Sequence, residues 1–216
     1  MSGMKVAIFG ANGKTGRHVV EQALERGHEV AAFVYKNPLT IEHQCLAQYQ
    51  GDATDFDDVQ AALTDCEAVV SVLGHSPQTL RHKPTMHRDS TRNIVTAMEA
   101  RSIKRLVSLT GTGVRQKGDN PGLIDRALNT GLSLVAERMV ADGRAHAQII
   151  QNSQLDWVVV RALKLQNGPK TGRYSASAHT VGGMKTTINR GDVAAFMLDN
   201  IETDDYLRQM PVVHRV

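Results

Sequence analysis

Three glycines at spacing three, Gly10, Gly13 and Gly16, stand in GANGKTG directly after the apolar run KVAIF. A strand that runs into a tight glycine turn and then into a helix builds an anion site. The turn frees backbone N–H groups, and the helix N-terminus adds roughly half a positive charge directed at the ligand. Gly10 lets the chain leave the strand sharply, Gly13 removes a side chain where a pyrophosphate must come close, and Gly16 lets the helix pack tightly. The pattern is GxxGxxG rather than GxGxxG, and it lacks the GxxxxGK[ST] of a nucleotide triphosphatase, which disfavours ATP hydrolysis. Its position between a buried strand and a helix reads as a dinucleotide site.

The end of the second strand selects the dinucleotide. NAD sites place Asp or Glu there for the ribose hydroxyls, whereas a basic residue accommodates the extra 2′-phosphate. This strand ends Val34-Tyr35-Lys36, without a carboxylate, and Lys14 and Arg17 add positive charge nearby. Tyr35 is placed to lie near the adenine. The expected cofactor is therefore NADP (NADPH).

The elements that must position this turn are short β-branched runs alternating with helical patterns, as in βαβ units around a parallel sheet. Strands are expected at Lys5–Phe9, Glu29–Tyr35, Leu46–Gln50, Ala68–Leu73, at RLVSLTG with its end at Thr110, and at Asp156–Arg161. Helices are expected at Thr15–Arg26, from the cap Asp55 through Leu63, at Ser90–Arg101, and over about 132–152 with an interruption near Gly143. The loop RQKGDNPG precedes that long helix. NGPKTGRYSAS reads as an irregular lobe carrying a short strand, and Gly191–Ile201 as the last helix. Asp192 lies near the N-terminus of that helix, where negative charge is favoured. The expected fold class is α/β, a doubly wound parallel sheet of the Rossmann type with a small C-terminal cap, as one domain over residues 1–216.

Composition narrows the function classes. The hydrophobic fraction of 41% with 22% charged residues is that of an ordinary soluble domain. The net charge of +3 is spread along the chain and aromatic residues are only 4%, too few for a base-stacking platform, so no nucleic acid is expected. A mild positive bias suits an anionic cofactor. No run approaches a membrane span or a secretory signal, and cytoplasmic residence is expected. Cys45 and Cys66 read as reduced thiols, and the nine His show no metal-ligand spacing. The expected partner is a small-molecule substrate, with the protein a monomer or weak homodimer.

MKVAIFGANGKTG, GDATD (Gly51–Asp55), SVLG (Ser71–Gly74), RNIVTAMEARSIKRLVSLT and LDWVVVR together resemble the atypical short-chain dehydrogenase/reductases. Within these the chain is similar to the NAD(P)H-binding group that includes biliverdin-IXβ/flavin reductase and the NmrA-like proteins. The resemblance runs from about Met4 to Ile201. It implies that Asn12, Gly13, Lys14 and Thr15 cradle the phosphates, that Asp52 and Ala53 meet the adenine, and that Leu73 and Gly74 line the ribose side. Thr110 would sit beside the nicotinamide, and Arg161 and Lys164 would close the pocket from the other side. Thr110 and Lys164 are the expected catalytic residues.

The departures from the family pattern bear on chemistry. Its Tyr-x-x-x-Lys pair should fall near Met139 to Gly143, where this chain reads MVADG. Thr110-Gly111-Thr112 stands where biliverdin-like members carry TS, Lys164 where a pocket His is expected, and Arg161-Ala162 where Arg-Pro is usual. Hydride transfer needs alignment of donor and acceptor before it needs a resident acid. The expectation is thus an NADPH-dependent reductase of a small planar conjugated acceptor such as a flavin or quinone. The alternatives are a non-catalytic NADP(H)-sensing protein of NmrA-like type and, third, an epimerase-like enzyme. His75 reads as a solvent-facing loop residue, Trp157 as core packing, and Asp142 with His146 as an i,i+4 helix pair. Gly13→Val should abolish dinucleotide binding, measured calorimetrically, while the circular dichroism spectrum and melting temperature stay close to wild type. Retained binding in the folded variant would refute the dinucleotide reading.

Overall fold

The computed structural model describes residues 3–75, 77–111, 113–120, 134–162, 164–180 and 187–216. In chain order they form β1 (Lys5–Phe9), α1 (Gly16–Glu25), β2 (Glu29–Val34), β3 (Leu46–Gln50), α2 (Phe56–Ala62), β4 (Ala68–Ser71), α3 (Pro77–His82), α4 (Met86–Ala100), β5 (Arg105–Gly111), α5 (Leu134–Gln151), β6 (Asp156–Ala162), β7 (Lys164–Gln166), β8 (Tyr174–Ser177), β9 (Thr187–Asn189), α6 (Arg190–Glu202) and β10 (Val212–Arg215). The main sheet runs β3-β2-β1-β4-β5-β6-β10-β8, and β7 pairs with β9 in a separate two-stranded sheet. All pairings in the main sheet are parallel except that of β10 with β8.

Alternation along each strand sends side chains to two helical layers. Val6 and Ile8 of β1 join the core under α1 and α6, with Val19, Val20, Val193 and Met197. Ala7 and Phe9 face the other way, into the core under α2, α4 and α5 with Leu63, Ile94, Met98 and Ile150. Trp157 lies in this second core, 7% exposed, in the packing role expected of it. Strand order reverses between β1 and β4, and such a switch point opens a crevice at the carboxyl ends of the strands. The glycine turn leaves β1 at that crevice.

Several boundaries differ from expectation. β2 ends at Val34 and β4 at Ser71, leaving Tyr35, Leu73 and Gly74 on the loops that border the crevice. α4 begins at Met86 and not at Ser90, and the short α3 precedes it. α5 runs through Gly143 without a break, because a glycine flanked by packed turns costs only about 1 kcal/mol against alanine. The lobe after Gln166 is part of the main sheet through β8, and β10, which was not foreseen, is inserted between β6 and β8. The end of the RQKGDNPG loop and the expected start of the long helix, residues 121–133, lie outside the described residues, as does Thr112. Asp55 caps α2 as expected, accepting hydrogen bonds from the amides of Asp57 (2.9 Å) and Asp58 (3.3 Å).

Arg161, expected at the cofactor, is instead the anchor of the C-terminal edge. Its side chain is fully buried. The guanidinium forks onto Asp119, and it also donates to the carbonyls of Met210 (2.8 Å), Ala178 (3.0 Å) and Val114 (3.4 Å). Asp119 further accepts from the amides of Gln116 (2.8 Å) and Thr180 (2.9 Å). Burial alone would raise the Asp119 carboxyl. The Arg161 guanidinium and these two amides outweigh it and hold the group below the usual carboxylate range.

Removing one partner of a buried ion pair strands the other charge. Asp119→Ala is therefore expected to destabilise the protein by about 3–5 kcal/mol at pH 7, read from urea unfolding. A carboxylate held below its ordinary value contributes stability above about pH 4 and loses it as pH falls further. The gap between wild type and variant should therefore narrow on acidification below that point.

Candidate functional site

The turn after β1 has the geometry that its glycines require. Gly10 has φ +79°, and a Cβ there would stand 3.1 Å from the Val72 carbonyl group. At Gly16 a Cβ would overlap the Gly10 carbonyl oxygen at 2.1 Å and that of Ala11 at 2.7 Å, so α1 can begin this close to the turn only on a glycine. Gly13 is exposed, and its amide donates to Gly10 O at 2.9 Å. Thr15 precedes α1 without a side-chain cap. The first-turn amides are thus left without the side-chain partner that usually satisfies one of them. Asn12 is committed to bracing: its Nδ2 donates to Asn37 O (2.9 Å), and its Oδ1 accepts from Arg17 Nε (2.9 Å). The loop after β2 and one of the expected cations are thereby fixed beside the turn. Lys14 is exposed there.

Two cavities open on either side of this turn and share Leu73. The first, of about 190 Å³, is walled by Gly10, Phe33, Tyr35, Asp52, Ala53 and Lys83 among others. It contains the expected adenine-side residues. Lys83, which the sequence did not single out, forms an ion pair with Asp52 and stands 5.6 Å from the Tyr35 ring centroid, while Lys36 stands 5.3 Å from it. Burial would raise the Asp52 carboxyl, but hydrogen bonds from Lys83 and from Thr54 hold it below the usual range. The only carboxylate among that cavity's lining residues is therefore already neutralised.

The second cavity, of about 330 Å³, is walled by Thr15, Gly74, His75, His87, Thr110 and Gly143 together with Met139, Ala162 and Leu165. Thr110 is 6% exposed at the carboxyl end of β5 and lines this cavity. Lys164 does not line this cavity. β7 alternates, so Leu165 takes the wall position and Lys164 is exposed. Met139 and Gly143, the ends of the stretch where the resemblance expects the Tyr and Lys, both border the cavity. A Cβ on Gly143 would lie 3.4 Å from Thr110 Oγ1 and 3.0 Å from Val114 Cγ2. The space is open because the side chain is missing.

His75, expected in solvent, has a side chain only 3% exposed and meets Asp142 Oδ2 through Nε2 at 2.6 Å. Asp142 comes from α5 and is equally buried. It does not pair with His146; it accepts from the backbone amides of His87 (3.0 Å) and Arg88 (3.1 Å) in the first turn of α4. A carboxylate at a helix N-terminus is stabilised by the amides and the dipole together. His146 instead donates from Nδ1 to Thr91 Oγ1 (2.6 Å), because the Thr91 hydroxyl proton is given to His87 O (2.6 Å). Its Nε2 is then left to accept from Ser108 Oγ (3.3 Å). The His146 ring stacks on His87 at 3.9 Å between centroids. Burial drives the His87 imidazole down to about 4 against the pull of Asp142, and burial with His87 drives His146 well below its ordinary value. Both rings are neutral at pH 7.

The free thiols are not part of this site. Burial pushes the Cys66 thiol up to about 11, away from the reactive thiolate, and Cys45 is half-buried elsewhere. Among the described residues no group of His, Cys, Asp or Glu could hold a metal ion, and no helix is long and apolar enough to cross a membrane.

Known proteins share this architecture. The Bacillus subtilis protein YwnB is 24% identical over 215 residues, covering 94% of each chain. A short-chain dehydrogenase/reductase from Veillonella parvula, solved in complex with NADP, superposes with a TM-score of 0.80 at 17% identity, over 98% of this chain and 94% of that one. A Streptococcus pneumoniae protein described as an NADH-flavin reductase gives a TM-score of 0.79 at 22% identity, over 99% and 100%. The family described as NAD(P)H-binding matches residues 10–204, from the first glycine of the turn to the loop after α6. The chain belongs to that NAD(P)H-binding family and has the fold of the atypical short-chain dehydrogenase/reductases.

Proposed function

We propose that the protein is an NADPH-dependent reductase that passes a hydride to a small planar conjugated acceptor, a flavin or a quinone. One observation carries the reading. Two cavities meet at Leu73 over a glycine turn and an uncapped helix start, and a dinucleotide lying across that turn has a place for each of its ends. The cradle at Gly10 and Gly16 is one that a Cβ would fill. When bound, the reduced dinucleotide supplies the hydride. Gly13, Lys14 and Thr15 hold the pyrophosphate, and Tyr35, Asp52 and Ala53 flank the adenine. Gly74 and Thr110 border the reacting end, where the Thr110 hydroxyl orients the ring or the acceptor.

NADP over NAD is supported by the carboxylate-free end of β2, by Lys36 beside Tyr35, by Arg17 fixed on Asn12, and by the neutralisation of Asp52. A planar conjugated acceptor is supported by the missing Tyr and Lys at Met139 and Gly143, which an epimerase would also need. The Veillonella structure in complex with NADP supports the choice of dinucleotide, and the Streptococcus protein described as an NADH-flavin reductase supports a flavin acceptor while naming the other dinucleotide.

Consumption of NADPH with FMN and 1,4-naphthoquinone as acceptors, against a control without acceptor, tests the activity. Binding of NADPH without turnover on either would favour a cofactor sensor instead. NADP(H) should bind at least tenfold more tightly than NAD(H), about 1.4 kcal/mol, a modest demand for a charge-assisted contact to phosphate. Calorimetric titration checks this, and Lys36→Asp should erase or reverse the preference. Thr110→Ala should slow turnover by about tenfold with dinucleotide affinity retained, as the loss of an orienting contact does. A far larger loss would make Thr110 the essential acid.

A further inference from the structure

We propose that His75 is the proton donor of this reductase, positioned by Asp142, and that the acceptor is a conjugated carbonyl compound whose oxygen becomes anionic as it is reduced. The inference rests on the reductase reading above. It starts from hydrogen bonds that leave little freedom. Asp142 meets three nitrogens, His75 Nε2 and the amides of His87 and Arg88. Amides can only donate, so Asp142 is an acceptor throughout and the proton between it and His75 sits on Nε2. The other ring nitrogen, Nδ1, is buried and has no hydrogen-bond partner among the described residues, on a residue that lines the cavity with Thr110. Leaving a buried nitrogen unsatisfied carries a real cost. In the neutral ring Nδ1 is an acceptor; in the protonated ring, whose charge Asp142 balances, it becomes a donor that an acceptor oxygen in the cavity would meet.

The arrangement is that of a proton-transfer group held by a carboxylate, in which the buried acid fixes the tautomer and balances the charge of the protonated ring. His87 also lines the cavity and also has a buried ring nitrogen, Nε2, without a partner among the described residues, but its ring has no carboxylate partner and burial drives its imidazole down to about 4. His87 presents its edge to His75, with centroids 6.5 Å apart, and His146 lies behind His87. The charged and titratable groups around His75 among the described residues are Asp142 on α5 and, on α4, His87 and Arg88, whose guanidinium is turned to Asp89 (2.9 Å). In the step, the acceptor gains a hydride from the reduced dinucleotide, which is oxidised by two electrons. The step starts from the imidazolium, protonated on both nitrogens beside the Asp142 carboxylate: its Nδ1–H bond breaks as the O–H bond of the product forms, leaving the neutral ring with its proton on Nε2, and a proton from solvent then restores the imidazolium. A reduced flavin is stable as its anion and has no need of such a donor. A quinone or an enone, which would otherwise leave a basic oxyanion in an enclosed site, does need one.

The test uses the full-length protein, His75→Ala and Asp142→Asn, with 1,4-naphthoquinone as acceptor. Turnover by wild type should fall as pH rises, and His75→Ala should lose that dependence. His75→Ala should lose roughly 10²–10⁴-fold in kcat, and added imidazole should restore part of it, which it would not do for a merely structural residue. Asp142→Asn should shift the pH profile and lower kcat more than it changes KM. A readout without turnover is the binding of 4-nitrophenolate, whose absorbance reports the state of its oxygen. It should bind at least tenfold more weakly to His75→Ala, with NADPH affinity serving as the check of folding. Wild-type turnover that His75→Ala retains, with the same pH profile and no response to imidazole, overturns the assignment of His75 alone. Absence of wild-type turnover with NADPH bound overturns the reductase reading and this proposal with it.

Discussion

Asp142 holds together three parts of the chain that otherwise have no reason to meet. Its carboxylate satisfies two first-turn amides of α4, so it does for that helix what a local cap would do, but from a different helix. The same oxygens fix the His75 ring at the end of the loop that follows β4. The wall of the second cavity is therefore set by a buried charge, and its geometry has no slack. The charge is tolerated because every donor around it is an N–H group and the helix dipole adds to them. Exchange of Asp142 for a neutral residue would release the loop and the helix end together.

The glycine turn solves a related problem by opposite means. There the required feature is the absence of atoms: a Cβ at Gly16 would sit inside the Gly10 carbonyl, and one at Gly10 would press on the Val72 carbonyl. No side chain caps the start of α1, although the Arg17 amide donates to Gly13 O at 3.0 Å. One helix of the sheet is thus closed by a carboxylate of the protein and another begins without a side-chain cap. Thr15 and His87, at these two ends, both line the second cavity.

Local features were legible in the sequence and distant ones were not. The turn, the Asp55 cap, the core strands and Trp157 depend on neighbours within a few residues or on simple alternation, and each was read correctly. His75 and Asp142 are 67 residues apart and Arg161 and Asp119 are 42 apart. No spacing rule connects such pairs; only the crossovers of the sheet bring them together. Asp142 and His146 misled for the same reason, since helical spacing made them neighbours while each turned to a different partner on α4 or β5. Lys164 was misplaced by one residue of strand alternation, which exchanged it with Leu165 on the cavity wall. β10 was missed because it is four residues long and follows a loop that carries Pro211.

The insertion of β10 has a bearing on the order in which the chain assembles. β8 touches the main sheet only through β10, and β10 in turn pairs with β6. The strand at 174–177 therefore completes its backbone pairing only once the strand at 212–215 is in place, although it precedes it by more than thirty residues along the backbone and its Tyr174 also meets α6 at Asp199. Such non-local closure is paid for in chain entropy before it returns any contact. The central strands can zip in sequence from β1 outward, whereas the far edge must wait for the last segment and then close in a single step. Arg161, whose guanidinium reaches the carbonyls of Met210 and Ala178 at once, is the latch on that final closure.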